Sequence, residues 1–260
     1  MPDLVWVALG ASLLMMLLWE IQRRHRDASL VDAGWAFAIG VAAIALAALG
    51  DGDPLRRLIA ATLGAIWSLR LTGYLLRDRV LGKPEDGRYA MLRQSWGAHA
   101  QRNFFIFFQV QAGFVVAFAC PFFAIAADPR PFGSVLDIAG VALWALALAL
   151  VATADRQLAR WRAAAVNRGR TCRGGLWRFS RHPNYFGEWL LWCSYALVAW
   201  GAPQWWLAPA TAAFLLILLL GVTGIPYTEK RALASRGDDY RAYQRATSPF
   251  IPWFPKAETP

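Results

Sequence analysis

The sequence predicts an all-α protein: a polytopic membrane bundle of seven transmembrane helices, with the N-terminus outside and the C-terminus in the cytoplasm. Three observations predict it. Of 260 residues, 57% are hydrophobic and only 17% are charged, against about 25% charged in soluble domains. Seven stretches approach the ~20 apolar residues that a helix needs to cross a bilayer. The lysines and arginines fall on alternate connections, 23 on one side and three on the other, with Arg70 inside a span. That asymmetry is the positive-inside pattern.

The spans follow in order. Span one, Leu4–Trp19, has no basic start and no small-residue cleavage site, so it is expected to stay in the mature chain. Residues 20–29 then carry three basic residues. Span two is Leu30–Gly50 and span three is Leu58–Leu76, joined by 51–57 with two. Residues 77–102, with six, lead to span four, Phe104–Ile125. A single basic residue in 127–133 precedes span five, Val135–Ala152. The connection 154–183 holds eight arginines and no lysine. Span six, Tyr185–Trp200, is expected to begin near Pro183, since proline suits a first helical turn. Residues 201–204 carry no charge, so span six and span seven, Trp205–Thr223, are expected to form a tight hairpin. The tail has helical character from Tyr227 to Ala246. Three prolines in Thr247-Ser-Pro-Phe-Ile-Pro-Trp-Phe-Pro255 then forbid a continuing helix, and the aromatics between them suit a bilayer interface. By composition the chain divides at 153. Residues 1–153 form a five-span half and residues 154–260 a half with the arginine-rich connection, hairpin and tail, the two making one integrated domain.

The net charge of +10 is explained by topology, so nucleic acid is not expected as a partner. The three histidines, His25, His99 and His182, lie far apart, and Cys120, Cys172 and Cys193 form no CxxC. No metal site is expected. There is no G-x-G-x-x-G, no P-loop and no G-x-S-x-G elbow.

Ionisable groups at membrane depth are costly and mark function by default. Asp32, Arg70, Asp137 and Glu188 are such groups. Asp32 shares a helix face with Trp35, Arg70 with Tyr74, and Asn184 with Glu188. All three pairs fall toward the cytoplasmic half, where they are expected to line one cavity. Structural readings stand beside this one: Arg70 pairing with Asp32, Asp32 capping span two, Asp137 lying at the interface. The arginines of the long connection are Arg156, Arg160, Arg162, Arg168, Arg170, Arg173, Arg178 and Arg181. Arginine's planar fork suits bidentate phosphate recognition; contact with lipid head groups is the alternative.

The segment Gly175-Leu-Trp-Arg-Phe-Ser-Arg-His-Pro-Asn-Tyr-Phe-Gly-Glu188 resembles the C-terminal signature of the steroid 5α-reductase superfamily, in particular its bacterial branch. The tail from Asp239-Tyr-Arg-Ala-Tyr243 through Pro255 and the run Ser29-Leu-Val-Asp-Ala-Gly-Trp35 are similar to the same branch. The resemblance implies a reductase in the bacterial inner membrane that takes NADPH from the cytoplasm. Its substrate is implied to be an activated C=C in a lipophilic, steroid- or isoprenoid-like molecule drawn from membrane lipid. It implies that Asn184 and Glu188 contact the nicotinamide end. Asp155, Arg160, Arg173 and Arg181 would hold the phosphates and adenosine, and Tyr227, Glu229, Arg231, Asp239 and Tyr240 would complete the cradle. The family's Gln-Glu pair in span two is absent here, so Asp32 or Tyr74 is expected to supply the acid. Membrane methyltransferases share an Arg-His-Pro-x-Tyr-x-Gly pattern and use S-adenosylmethionine, which has no phosphate for the arginines. A non-catalytic lipid-binding protein is the third reading.

Overall fold

A computed structural model describes residues 2–222 and 224–256. Among the described residues every regular element is a helix. The chain divides into two compact units, Met1–Phe132 with Gly201–Leu207, and Gly133–Trp200 with Ala208–Pro260.

The first unit holds α1 (Pro2–His25), α2 (Leu30–Leu49), α3 (Pro54–Leu75), α4 (Gly87–Trp96) and α5 (Ala100–Ala126). Proline at the start of α3 loses no hydrogen bond, and the Asp53 carboxylate accepts from the amides of Leu55 (3.1 Å) and Arg56 (3.0 Å). The last turn of α3 widens into a π-turn over Leu76–Val80. α2 packs on α3 and α5, and α1 on α5. The α2–α3 contact is close because small residues face each other: a Cβ at Gly64 would lie 2.5 Å from the Ala43 methyl. The Ser68 hydroxyl donates to the Ala36 carbonyl at 2.8 Å across the same seam. The loop after α5 is tied to the start of α3. The buried Arg56 Nε donates to the Arg130 carbonyl (2.7 Å), and Arg130 Nη2 pairs with the fully buried Asp128 (2.6 Å). Burial opposes charge on Asp128, but donors from Arg130 and the Arg56 charge hold its pKa below the ordinary carboxylate value.

The second unit holds α6 (Val135–Ala163), α7 (Pro183–Val198), α8 (Leu207–Ile217, all but its first residue) and α9 (Ile225–Ala246). Asp137 has a local structural role. It closes a capping box with Ser134 at the start of α6, accepting from the Ser134 amide at 2.9 Å. α6 packs along α7, where a Cβ at Gly187 would lie 2.7 Å from a Val151 methyl. Trp144 Nε1 donates to the Tyr195 hydroxyl at 3.0 Å in the same interface. α9 breaks at Gly237, whose φ of 53° belongs to the left-handed region that glycine adopts freely.

Three expectations change. The connection 154–183 begins as helix: α6 runs to Ala163, so Asp155, Arg156, Arg160 and Arg162 are helical. Hydropathy marks the end of an apolar stretch, while Arg, Gln, Leu and Ala go on favouring helix past it. Asp32 does not cap α2; Ser29 holds the N-cap position. The hairpin of α7 and α8 is not a packed pair, since α7 lies along α6 and no comparable packing joins it to α8. Six helical stretches among the described residues are long and apolar enough to cross a bilayer: Asp3–His25, Leu30–Leu49, Pro54–Val80, Gly87–Ala126, Val135–Ala163 and Leu207–Ala246. α7, with 16 residues, spans roughly 24 Å, short of a hydrocarbon core of about 30 Å. Thr223, the expected end of span seven, lies outside the described residues. The protein is an all-helical integral membrane protein.

Candidate functional site

In the second unit, the run from Gly175 to Glu188 folds against the tail. Pro183 opens α7, and the residues before it leave the helix and meet the segment after α9. Arg181 is the hub. Its Nε donates to Glu229 Oε1 at 2.6 Å, and its Nη1 donates to the carbonyls of Thr247 (2.7 Å) and Gln244 (2.9 Å). The other Glu229 oxygen accepts from Gln244 Nε2 at 2.7 Å, and Tyr240 donates weakly to Oε1 at 3.4 Å. His182 is 3% exposed; its Nδ1 lies 2.9 Å from the Pro249 carbonyl, and its ring stacks on Tyr185 at 5.3 Å. Burial pushes the His182 pKa below 6.5, against the Pro249 carbonyl and Glu229, which favour the cation. Ser180 Oγ donates to the Phe250 carbonyl at 2.7 Å, and the Tyr243 hydroxyl donates to the Trp177 carbonyl.

The residues expected to hold a nucleotide separate into groups. Arg181, Glu229 and Tyr240 come together in the hub. Arg173 Nη2 donates to Asp239 at its carbonyl (2.7 Å) and at Oδ1 (3.1 Å), and Asp239 Oδ2 accepts from the Thr171 amide at 2.7 Å. Asn184 Nδ2 donates to Asp155 Oδ1 at 3.1 Å, joining the first turn of α7 to α6, with Glu188 one turn further along. Tyr227 and Arg231 stand one turn apart on α9, the guanidinium 5.9 Å from the ring centre. Arg160 is apart from these. With Gln157, Trp161, Asn167, Cys172 and Gly174–Gly175 it lines an open groove of about 360 Å³. The indole N–H of Trp161 is out of solvent and has no hydrogen-bond partner among the described residues.

In the first unit, Asp32 sits in the first turn of α2. Its Oδ2 accepts from Arg88 (2.6 Å) and Arg79 (3.1 Å), and its Oδ1 accepts from the Tyr89 hydroxyl at 2.5 Å. Arg70 is not among its partners. Arg79 comes from the π-turn; Arg88 and Tyr89 come from the first turn of α4, which Asp86 caps at 2.9 Å from the Arg88 amide. Burial works against charge on Asp86, yet bonds from Arg88 and the Arg79 charge hold its pKa below the ordinary value. Asp86 also donates its amide to Ser29 Oγ at 2.8 Å, which fixes this loop beside α2. Tyr74 packs with Trp35 around Ala33, Ala36 and Leu75.

Residues 18–247 match a family described as a protein of unknown function, DUF1295. The chain belongs to this family. A 124-residue stretch is 33% identical to 3-oxo-5-alpha-steroid 4-dehydrogenase 1 of Bos taurus, covering 48% of this chain and 43% of that protein. The same enzyme of Macaca fascicularis is 26% identical over 124 residues, 48% and 42% of the two chains. An uncharacterized protein of Schizosaccharomyces pombe is 26% identical over 91% of this chain and 76% of its own. The matched stretch thus spans less than half of each steroid dehydrogenase. These matches support the resemblance to the steroid 5α-reductase superfamily carried by the motifs. No solved structure matches.

Sequence reasoning missed Arg79, Arg88 and Tyr89 as partners of Asp32. The run Asp86-Gly-Arg-Tyr89 carries a helix-capping signal but nothing that points to α2. Gln244 carried no signal at all. His182 and Ser180 were visible within the motif, but their bonds to the tail were not.

Proposed function

We propose that this DUF1295 protein is an NADPH-dependent membrane reductase of an activated C=C in a lipophilic enone. The observation that carries the reading is the groove along α6. There Arg160, Gln157 and Asn167 line one open groove, the Trp161 indole N–H beside it has no partner among the described residues, and the Asp155–Asn184 bond ties the first turn of α7, one turn before Glu188, to the same helix. A guanidinium in an open groove fits a polyanionic nucleotide. In this reading Gln157, Arg160, Trp161, Asn184 and Glu188 hold the cofactor. Arg173, Arg181, Glu229, Asp239 and Tyr240, bonded to one another and to backbone, form the wall that keeps those groups in place, and Tyr227 and Arg231 border it on α9. Bound NADPH supplies a hydride.

Reduction of an enone builds negative charge on its oxygen, and donors aimed at that oxygen lower the barrier. Asp32 orients the Tyr89 hydroxyl and is itself steadied by two guanidiniums, so this pair holds a proton at a defined atom at the end of α2. Tyr74 packs in the apolar cluster beside it. Relatives named as 3-oxo-5-alpha-steroid 4-dehydrogenases support oxidoreduction at a CH–CH unit. The alternation of basic connections supports seven crossings with the N-terminus outside and the nucleotide side in the cytoplasm, in a bacterial inner membrane.

The test is thermal stabilisation of the detergent-purified protein by NADPH, NADH and S-adenosylmethionine, since a ligand selective for the native state raises its apparent stability. A rise with NADPH that Glu188→Ala abolishes is expected. A rise with S-adenosylmethionine alone would transfer the protein to the methyltransferases.

A further inference from the structure

The end of α1 carries a basic run, Arg23-Arg24-His25-Arg26. Its arginines differ in how their charge is met. Arg23 and Arg24 both reach Glu20 at 2.8 Å, one turn back on the helix. Arg26 bonds through its backbone amide to the Gln22 carbonyl at 2.8 Å, and its guanidinium has no partner among the described residues. The neighbouring Asp27 carboxylate accepts from the Ser29 amide at 2.9 Å instead. Arg26 also stands at φ 53°, in the left-handed region where a helix end ordinarily places glycine. Backbone preference alone would not put an arginine there.

Arg26 lines an open recess of about 270 Å³ with Arg93, Gln101 and the small residues Gly97, Ala98 and Ala100. A relay of side chains sets its polarity. Arg93 can only donate, and its Nη2 gives to Gln22 Oε1 at 3.0 Å and to Glu85 Oε1 at 2.7 Å. The buried Gln22 therefore turns its amide nitrogen to Gln101 Oε1, at 2.8 Å. Gln101 Nε2 and Arg93 Nη1 are left as donors with no partner among the described residues. Glu85 answers the Arg93 charge, and no carboxylate lines the recess. One unanswered cation flanked by free donors suits an oxyanion of single charge, such as a phosphodiester.

Trp19 marks the depth. Its indole donates to the Gln101 carbonyl at 3.0 Å, and the Arg23 guanidinium lies 5.5 Å from its ring centre. Tryptophan concentrates at the bilayer interface. Arg26 follows seven residues later, about 10 Å further along the helix direction, which is head-group depth. On the other side of Trp19 the same two helices, α1 and α5, expose Leu13, Leu17 and Ile106. These offer apolar surface to acyl chains below the recess. A free anion would use the polar half alone; an anion carrying hydrocarbon tails uses both.

We infer that the recess at the end of α1 and the start of α5 binds the phosphodiester of an anionic membrane phospholipid, with Arg26 meeting its charge and Gln101 and Arg93 donating to its oxygens. This site is independent of the proposed nucleotide groove, whose lining residues belong to the second unit.

The experiment uses the full chain in detergent micelles carrying equal amounts of palmitoyl-oleoyl phosphatidylglycerol and phosphatidylcholine, which share their acyl chains and differ in net charge. Native mass spectrometry counts the lipid retained. The wild type is expected to retain one phosphatidylglycerol, preferred over phosphatidylcholine by at least about fivefold. Arg26→Gly removes the charge and relieves the left-handed backbone. It is expected to leave thermal stability unchanged or higher while cutting the preference about fivefold, the worth of one basic residue facing anionic lipid. Gln101→Glu keeps the acceptor for Gln22 and puts a carboxylate into the recess, and a similar loss is expected. Arg77→Gln, at an exposed arginine of the same unit, is expected to change nothing. An unchanged preference in Arg26→Gly or Gln101→Glu would overturn the site, and so would an equal loss in Arg77→Gln, which would reduce the preference to overall charge. Millimolar inorganic phosphate and millimolar NADPH are each expected to leave the lipid bound. Displacement by phosphate would make the recess a site for free anions, and displacement by NADPH would make it part of a nucleotide site; either overturns the lipid assignment.

Discussion

The two units use their charged residues differently. In the first, the charges at the end of α2 answer one another: Asp32 and Asp86 are gripped by Arg79 and Arg88, side chain to side chain. In the second, the motif arginine and histidine reach mostly for backbone. Arg181 holds the carbonyls of Gln244 and Thr247, His182 faces that of Pro249, and Ser180 holds that of Phe250. A side-chain cluster adjusts when one member changes. The carbonyls of Thr247, Pro249 and Phe250 lie past the end of α9, where the prolines allow no helix to supply amide donors. The difference teaches that Ser180, Arg181 and His182 of the motif tie the tail in place, whereas the first unit joins its charges side chain to side chain.

That contrast can be broken by substitution. Arg181→Ala is expected to have the largest effect. It leaves Glu229 without its paired charge and two carbonyls without this donor at a site where the arginine is 10% exposed, so a loss of about 3–5 kcal/mol is expected. Thermal unfolding in detergent reads it, and Arg181→Lys should recover little, since an ammonium cannot reproduce the fork. Asp32→Asn should cost less, about 1–2 kcal/mol. Its arginine partners are roughly one-third exposed and can turn to water. If Asp32→Asn proved as damaging as Arg181→Ala, the distinction between the units would fail.

The next effect is one of pH. His182 has its pKa lowered by burial, so the unfolded chain binds its proton more readily than the folded one. The stability that neutral His182 contributes is present above about pH 6.5 and is lost as pH falls through its depressed folded value. Unfolding measured between pH 7 and pH 5 should show the native state weakening with acid, and His182→Gln should flatten that slope. An identical slope in the variant would remove His182 from the account. The smallest effect is expected at Trp253, which is 70% exposed at the end of the tail. Trp253→Ala should change stability by no more than about 0.5 kcal/mol, with its consequence confined to how the tail meets lipid.

Much of the helical plan was legible in the residues. Apolar runs located the starts of α2 and α6 to the residue, and Pro183 marked the start of α7. Helix ends were harder. α6 outlasts its apolar stretch by eleven residues, from Ala152 to Ala163, because polar residues with good helix propensity continue a helix that the membrane no longer needs. Some of the residues expected to act together do meet. Asp155 with Asn184, and Arg181 with Glu229, come together as members of one list. Which donor meets which acceptor was not legible, since those bonds close over 29 and 48 residues of chain.

By itself the sequence determined the membrane class, the all-helical fold and the family, because lipid demands long apolar helices and the motif is local in the chain. Only the tertiary structure decided that Asp32 answers to Arg79, Arg88 and Tyr89, and that α7 lies along α6. These depend on helix register and on packing through small residues such as Gly64 and Gly187, where a shift of one residue turns a side chain by about 100° and changes every partner it meets.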